Sequence, residues 1–509
     1  MPLFSIARQA MNILYFTHYQ MLLFTDKRFR LAIIRGVGGT GKTILILLKL
    51  IELFRKQLTE LDEDKNVNDN QQNTIKQENA ENLVSDPNMF LLLAPNPHHL
   101  RCKMFLDDNG INTCLISNDP NMITPKQDKN TPLVKIADLK SFLEELSLLY
   151  AEQEKVYDVK IADEKKRGTS SCIDNCAPKT PLQELVAGMD EMPACHLFMD
   201  DVQSFMDEGD NDLIEIERYK SLQVVLRKFM LMWYKKVAAH KNLYIWSAMD
   251  GMQRPRAAYC FPVIPVNYKH SNDESNIDEI VELPKVFRLT EVLRSSQPIT
   301  EFATEMLDKL LDKSKFIQQI LNKTPQAVQG HSINGPCVDW YVLVTNSGTP
   351  SLSAMLLHLK ETLRQVLDMW TDVPIALIYK KKYEDDALAY DSCLKVIESL
   401  DISYINMTEY ILNKGNSKSN VIVFDRETNI ASAEFPIVIC FYHFLGRMEF
   451  NYNIASRARS KLIMIGCNTD EAMDDYLVNF PNVNFVLTNA DDYENNIRNR
   501  PRQAILWCQ

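Results

Sequence analysis

The sequence predicts an α/β protein of two tandem domains, each a parallel sheet flanked by helices, and three observations predict it. Apolar runs of strand length alternate with helical or polar stretches, once in each half of the chain, which is the pattern of a parallel sheet wrapped by helices. A glycine-rich turn stands between the first apolar run and a long apolar helical stretch. The chain of 509 residues is longer than one hydrophobic core ordinarily serves, so two or more domains are expected.

The elements follow in order. Leu31, Ala32, Ile33 and Ile34 form a short strand, and residues 44–58 have the composition of a largely buried helix. Residues 59–88 are rich in Asn, Gln, Glu and Asp with few apolar anchors, so they are expected to form a disordered insertion. Strands are expected again at residues 89–93, 195–199 and 243–247, with a helix at 139–149 and a polar loop at 165–180. Residues 120–190 read as a small insertion in the first domain. The polar stretch 267–278 reads as the joint, giving a first domain over residues 1–278 and a second over 279–509. In the second, strands are expected at 340–344, 374–379, 420–424, 436–441 and 461–465.

Composition restricts the class of partner. The formal net charge is −11, so a polyanion has no whole-protein field to attract it and must meet a local positive surface. Eleven cysteines are scattered without paired metal-ligand spacing, which reads as reduced thiols in a cytoplasmic or nuclear protein. Cys172 and Cys176 come nearest to a motif, in a polar loop with no second pair near them, and no metal is assigned to them. The apolar start is interrupted by Arg8, Gln9, His18 and Gln20, and the run from Ile44 to Leu48 breaks at Lys49. Neither is a signal peptide or a membrane span, so an intracellular protein without membrane contact is expected, and nothing names a protein partner.

Gly36, Val37, Gly38, Gly39, Thr40, Gly41, Lys42 and Thr43 fit G-x-x-x-x-G-K-[ST] at every position, which is the phosphate-binding loop of P-loop NTPases. The glycines let backbone N–H groups turn toward phosphate oxygens, and the following helix offers its positive end. Lys42 would neutralise the β and γ phosphates and Thr43 would hold Mg²⁺. A second acidic half is expected at the end of a neighbouring strand. His196, Leu197, Phe198, Met199, Asp200 and Asp201 supply it, with Asp200 toward the metal through water and Asp201 placed to orient or deprotonate the attacking water. ATP with Mg²⁺ is the expected ligand.

From these residues outward the chain resembles a superfamily 1 helicase of the UvrD-like type, with segments in that family's order over most of its length. Tyr19 and Gln20 precede the loop as the family's adenine-reading glutamine does, and Ala94-Pro95-Asn96 is similar to the segment after its next strand. Asp200-Asp201-Val202-Gln203 resembles D-E-x-Q, and Asp250-Gly251-Met252-Gln253 resembles G-D-x-x-Q. Leu293-Arg294-Ser295-Ser296 resembles the arginine motif that opens the second domain. Glu434, within Ala433-Glu434-Phe435-Pro436, resembles the G-L-E-F segment, and Ala455-Ser456-Arg457-Ala458-Arg459 resembles the T-R-A motif. The phrasing of residues 293–296, 330–336 and 456–459 is most similar to the Schlafen-type helicase domain.

The resemblance implies two RecA-like domains with nucleotide between them. It implies that Gln20 selects adenine, that Gln253 senses the γ phosphate or its water, that Arg294 and Arg457 reach it from the second domain, and that Glu434 contacts the sugar. The departures are chemical. Asp201 stands where the family has glutamate, and its shorter side chain implies slow hydrolysis. Met249 replaces a glycine, and Arg254-Pro255-Arg256-Ala257 replaces the aromatics that stack single-stranded bases. Ser432 and Ala433 replace Gly-Leu. The nucleotide side is thus better kept than the strand side. Arg254, Arg256, Lys380, Lys381 and Lys382 remain for backbone contacts, and His98 and His99, candidates for phosphate contacts at the cleft mouth, are expected to be solvated instead. Two readings stand: a motor on single-stranded DNA or RNA, or a nucleotide-controlled interaction protein of helicase ancestry. A phosphate-loop kinase is disfavoured, because the paired acids and late arginines have no role there.

Overall fold

The computed structural model describes residues 17–26, 29–70, 89–117, 132–164, 180–187, 195–202, most of 222–250, 284–292, 295–313, 328–329, 334–344, 352–370, 373–379, 386–413, 421–430, 433–444, 448–467 and 483–489. The chain divides into two compact units. One comprises Arg30–Ile34 and Ile46–Phe287, and the other Met1–Phe29, Arg35–Leu45 and Arg288–Gln509. The glycine loop is thereby grouped with the C-terminal half. The joint expected at 267–278 lies outside the described residues.

A first helix, α1 (His18–Thr25), precedes a sheet built from β1 (Leu31–Gly36), β2 (Met89–Ala94), β3 (Thr113–Ile116), β4 (Leu133–Asp138), β5 (His196–Met199), β6 (Ile245–Met249) and β7 (Lys285–Leu289). Its order is β3-β4-β2-β5-β6-β1-β7, and the β3–β4, β4–β2, β2–β5 and β5–β6 pairs run parallel. Helices cover both faces of such a sheet, so its inner strands are continuous apolar runs. Phe90, Leu91, Leu92, Leu93 and Ala94 in β2 are buried, as are Leu197, Phe198 and Met199 in β5. The flanking helices are α2 (Lys42–Asn70), α3 (His98–Asp108), α4 (Leu139–Glu164) and α5 (Pro181–Ala187). A further helical stretch buries Leu222, Val225, Leu226, Phe229, Met230, Trp233, Tyr234 and Val237, the i, i+3, i+4 spacing of one helix face.

Two expectations need correction. Helix α2 runs to Asn70, into the stretch from 59 that was expected to lack order. The chain there offers helix-stabilising local bonds: Thr59 Oγ1 donates to the Arg55 carbonyl at 3.1 Å and Lys56 pairs with Glu60 at 3.0 Å. Residues 71–88 lie outside the described residues. Nor are residues 120–190 simply an insertion, because β4 lies between β3 and β2 within the sheet. Lys135 breaks its apolar run and hides it in the sequence. Asp138 at its end then starts α4, its Oδ2 accepting from Ser141 N–H and Oγ at 2.9 and 2.7 Å.

The second sheet contains β10 (Val338–Val344), β11 (Ile375–Tyr379), β12 (Ser403–Ile405), β13 (Val421–Arg426), β14 (Phe435–Phe444), β15 (Ala458–Cys467) and β16 (Val483–Asn489) in the order β12-β13-β11-β14-β15-β10-β16. Every neighbouring pair is parallel. A small β8–β9 ladder (Glu291–Val292 with Val328–Gln329) precedes it. The helices here are α6 (Gln297–Lys313), α7 (Leu352–Met369), α8 (Asp386–Glu398), α9 (Met407–Leu412) and α10 (Met448–Ala455). In α7 the buried residues Ala354, Met355, His358, Leu359, Thr362, Leu363 and Val366 mark its sheet-facing stripe. Helix α9 begins with a capping box, in which Asn406 and Glu409 satisfy each other's backbone N–H groups. The predicted α/β class with two parallel sheets therefore holds. Among the described residues, Cys102, Cys114, Cys195, Cys393 and Cys440 are buried free thiols, whereas Cys337 stands in a disulfide, a departure from the expectation that all are reduced. No helix among them is long and apolar enough to cross a membrane.

One core group carries a pH dependence. His196 lies between Phe90 and Tyr244, with ring centroids 4.7 and 5.7 Å away, and its Nδ1 accepts from Tyr244 N–H at 3.3 Å. Burial, with a smaller contribution from Lys56, pushes its pKa down to about 3. The unfolded chain therefore takes up a proton that the folded chain refuses. Stability from this group is whole above about pH 6.5 and declines as pH falls toward 3. Between pH 7 and pH 5 the loss is about 2 kcal/mol, read from urea unfolding midpoints. His196→Gln should remove that part of the acid sensitivity; an unchanged pH slope in the variant would show that His196 is not its source.

Candidate functional site

The glycine loop fills the gap between β1, ending at Gly36, and α2, beginning at Lys42. Gly39 and Gly41 take φ of +77° and +80°, a left-handed conformation that side chains other than hydrogen strain to adopt. Thr40 Oγ1 donates to the Val37 carbonyl at 2.8 Å, closing the turn. From outside, α1 braces it. Thr17 and Gln20 form a capping box, with Gln20 Oε1 accepting from Thr17 N–H at 2.9 Å. Gln20 Nε2 donates to the Thr40 carbonyl at 2.7 Å. Both ends of this buried amide are thus occupied in holding the loop, where the resemblance implies an adenine reader.

Inside the loop Lys42 is almost wholly buried, and its Nζ donates to the carbonyls of Gly36 and Val37, each at 2.9 Å. Thr43 follows it in the first turn of α2, partly buried. The Gly38 N–H donates to Tyr452 Oη at 3.0 Å. Tyr452 comes from α10 and is buried. Beside it, a Cβ placed on Gly38 would lie 2.5 Å from Ser456 Cβ, so this position has no room for a side chain. Val37, Gly38, Val292, Ser295, Tyr452 and Ser456 line part of a small cavity at this face of the loop.

Arg457 follows Ser456 and is buried. Its guanidinium donates to Asn453 Oδ1 at 2.8 Å, and Asn453 Nδ2 donates to Glu427 Oε1 at 2.7 Å. The backbone fixes it too: Arg457 N–H donates to the Ile454 carbonyl and Phe435 N–H donates to the Arg457 carbonyl. Glu434, for which the resemblance implies a sugar contact, is paired with Arg459, whose Nε and a terminal nitrogen reach its Oε2 at 3.1 and 2.9 Å.

In the first sheet β5, β6 and β1 are successive neighbours. Chain continues from β5 into Asp200 and Asp201, from β6 into Asp250, and from β1 into the glycine loop. Asp200 and Asp250 are fully buried. Asp201 has φ of +46°, in the left-handed region that Asp tolerates better than most residues. Asp200 Oδ2 is 2.8 Å from His98 Nε2, and Asp200 Oδ1 is buried without a hydrogen-bond partner among the described residues. Cys102, one turn along α3, has its Sγ 3.6 Å from the same His98 nitrogen.

His98 and His99 are both buried, not solvated as expected. Pro95 and Pro97 lead α3 off the end of β2 and turn its first residues inward, and Pro95 accepts from His99 N–H at 2.9 Å. Burial alone would lower the His98 pKa. Its electrostatic interactions and hydrogen bonds with Cys102 and Asp200 outweigh burial, raising the pKa to about 10. His99 goes the other way, lowered by burial.

The structure thus brings Gln20, Gly36, Gly38, Gly39, Thr40, Gly41, Lys42, Thr43, Glu434 and Arg457 into one unit. Asp200 and Asp201 belong to the other. Gln253 and Arg294 lie outside the described residues, as do Arg254, Arg256 and the lysines at 380–382. Tyr452 and Cys102 are the residues that sequence reasoning passed over, and it placed His98 in solvent.

No protein-family model matches the chain, and no curated protein matches it. Solved structures with some likeness are helicases. The Pyrococcus furiosus Hef helicase domain is 10% identical, with 92% of this chain and 98% of that chain covered and a TM-score of 0.33. Mss116p bound to ssRNA and AMP-PNP is 10% identical over 96% of this chain and 78% of that chain, with a TM-score of 0.45. The PRRSV helicase is 9% identical with a TM-score of 0.31, and the match covers 91% of this chain but only 57% of that chain. Likeness at this level carries no functional argument, which rests instead on the residues of the site.

Proposed function

We propose that this chain binds ATP with Mg²⁺ at the glycine loop and hydrolyses it as a superfamily 1, UvrD-like motor on single-stranded DNA or RNA, most similar to the Schlafen-type helicase domain. One observation carries the nucleotide part of this reading. The Gly38 amide already faces an oxygen, the Tyr452 hydroxyl at 3.0 Å, while the Lys42 ammonium is held by two carbonyls of the same loop. A loop in this state offers an acceptor-seeking amide and a cation to an incoming phosphate. Tyr452 Oη must yield that amide when phosphate takes it.

The residues fit the ligand. Lys42 would neutralise the β and γ phosphates, Gly38, Gly39, Thr40 and Gly41 would supply backbone N–H groups, and Thr43 would give its hydroxyl to Mg²⁺. The unpartnered Oδ1 of Asp200 suits the metal's water shell. Asp201, held in a left-handed conformation, would orient the attacking water, and its short side chain would make the step slow. Arg457, with Arg294 and Gln253, would stabilise charge on the γ phosphate. The magnesium ion supplies Lewis-acid neutralisation of the phosphates when bound.

A second reading, a nucleotide-controlled interaction protein without unwinding activity, is favoured by the net charge of −11 and by Arg254-Pro255-Arg256-Ala257 in place of stacking aromatics. ATP turnover measured with and without single-stranded RNA and DNA separates the two. The motor reading expects stimulation of several-fold at low salt that fades as salt rises, since each released phosphate contact carries a salt dependence. Turnover or binding that ignores both strands at low salt rules out the motor and leaves the second reading.

A further inference from the structure

We propose that His98, Cys102 and Asp200 form a site for a thiophilic divalent cation of the zinc class, one that shares Asp200 with the proposed nucleotide site but does not depend on nucleotide binding. His98 and Cys102 are four residues apart on α3, one helical turn, so both side chains leave the same face. Asp200 closes the group from the end of β5. Nitrogen, sulfur and carboxylate donors from the three lie within 4.8 Å of one another, and all three residues are buried.

The distances suit a tetrahedral ion. With Zn–S of about 2.3 Å and Zn–N of about 2.0–2.1 Å, two ligands at the tetrahedral angle stand about 3.5 Å apart. Cys102 Sγ and His98 Nε2 are 3.6 Å apart. Nε2 and Asp200 Oδ2, at 2.8 Å, would separate by roughly half an ångström to admit the ion. Without an ion the cluster is poorly satisfied. His98 Nε2 faces two acceptors yet carries at most one proton, while Asp200 Oδ1 and His98 Nδ1 are buried without partners among the described residues. Buried polar atoms are rarely left so. An ion bound through Nε2 replaces the shared proton with a charge that all three donors reach, and Oδ1 of the same carboxylate or a water completes four-coordination. Binding releases the Cys102 thiol proton and any proton on Nε2.

An ion here engages the carboxylate that the nucleotide reading assigns to the magnesium shell, so zinc-class loading and Mg²⁺-dependent turnover should oppose each other. The site itself is tested without nucleotide. Full-length protein, freed of metal with a chelator, is titrated with Co²⁺ and followed by absorption. Thiolate ligation gives a sulfur-to-cobalt charge-transfer band in the near ultraviolet, which Mg²⁺ sites do not produce. Wild type should show a saturable band with about one equivalent bound per chain. Cys102→Ser should lose the band, His98→Asn should weaken binding at least tenfold, and Cys114→Ser should leave both unchanged. Far-ultraviolet circular dichroism on each variant checks folding. Where Cys102→Ser fails to fold, zinc content of wild-type protein expressed with zinc, against His98→Asn, gives the same decision. Absence of a saturable band in wild type, or its survival in folded Cys102→Ser, overturns the site while leaving the nucleotide reading untouched.

Discussion

Arg457→Ala should reduce single-turnover ATP hydrolysis by about a thousandfold or more while changing nucleotide affinity by less than about threefold, the signature of a guanidinium that acts on the transition state. The structure gives this residue an unusual amount of support. A chain of hydrogen bonds runs from Glu427 through Asn453 to the Arg457 guanidinium, and the backbone on either side is fixed by α10 and β14. Ser456, the preceding residue, lies against Gly38. An arginine held rigidly in this way would meet developing charge without reorganising, which is where electrostatic catalysis is strongest. Asn453→Ala tests the support separately: it removes the acceptor but keeps the charge, so turnover should fall by less than in Arg457→Ala. Arg457→Lys should recover little, because an ammonium lacks the planar fork. If affinity and turnover fall together in Arg457→Ala, the residue is a ground-state contact or a structural ion, and its catalytic assignment is withdrawn.

Inner strands, β4 with its Lys135 excepted, were legible in the sequence and edge strands were not, for one reason. β2, β5, β6, β10, β11, β13, β14 and β15 are covered on both faces, so each reads as an apolar run. The four sheet edges are β3, β7, β12 and β16, and none was foreseen. β3 alternates partly and fully buried residues, while β7 exposes Lys285, Val286 and Arg288 and β12 exposes Ser403 and Tyr404. Polar and exposed residues on an edge keep strands from adding to one another, and the same residues erase the apolar signal. The glycine loop was legible because its eight residues are contiguous and fit one pattern at every position. The cluster at Asp200 was not. His98 and Asp200 stand 102 positions apart, and adjacent histidines after a strand give no hint that prolines turn the helix inward. Tyr452 and Gly38 are 414 positions apart, and a lone tyrosine in an apolar helix looks like ordinary core. Contiguous motifs survive in a sequence, whereas contacts made by folding do so only when the chemistry names both partners.

Lys42→Ala should weaken ATP binding by roughly a hundredfold, the loss of about 3 kcal/mol expected for a charge-assisted contact to phosphate in a buried site. In the free protein Lys42 Nζ bonds the carbonyls of Gly36 and Val37, so its removal acts on both states. The free loop loses two hydrogen bonds, whereas the bound loop loses the charge that offsets the phosphates. Because the second loss is larger, affinity falls instead of merely shifting the loop. Folding should survive, since alanine is a good residue near a helix start and α1 braces the loop independently through Gln20 and Thr40. Lys42→Met separates charge from bulk: it keeps a long apolar stem and should bind as poorly as alanine. The measurement is a titration with a fluorescent ATP analogue and Mg²⁺, with thermal unfolding as the control for folding. Tyr452 supplies the internal check. Its hydroxyl competes for the Gly38 amide, so Tyr452→Phe on a wild-type loop should tighten binding by about threefold. The same change on the Lys42→Ala background should restore little of the hundredfold loss. Unchanged affinity in folded Lys42→Ala would mean that phosphate does not sit on this loop, and with that the nucleotide reading of the chain would fall.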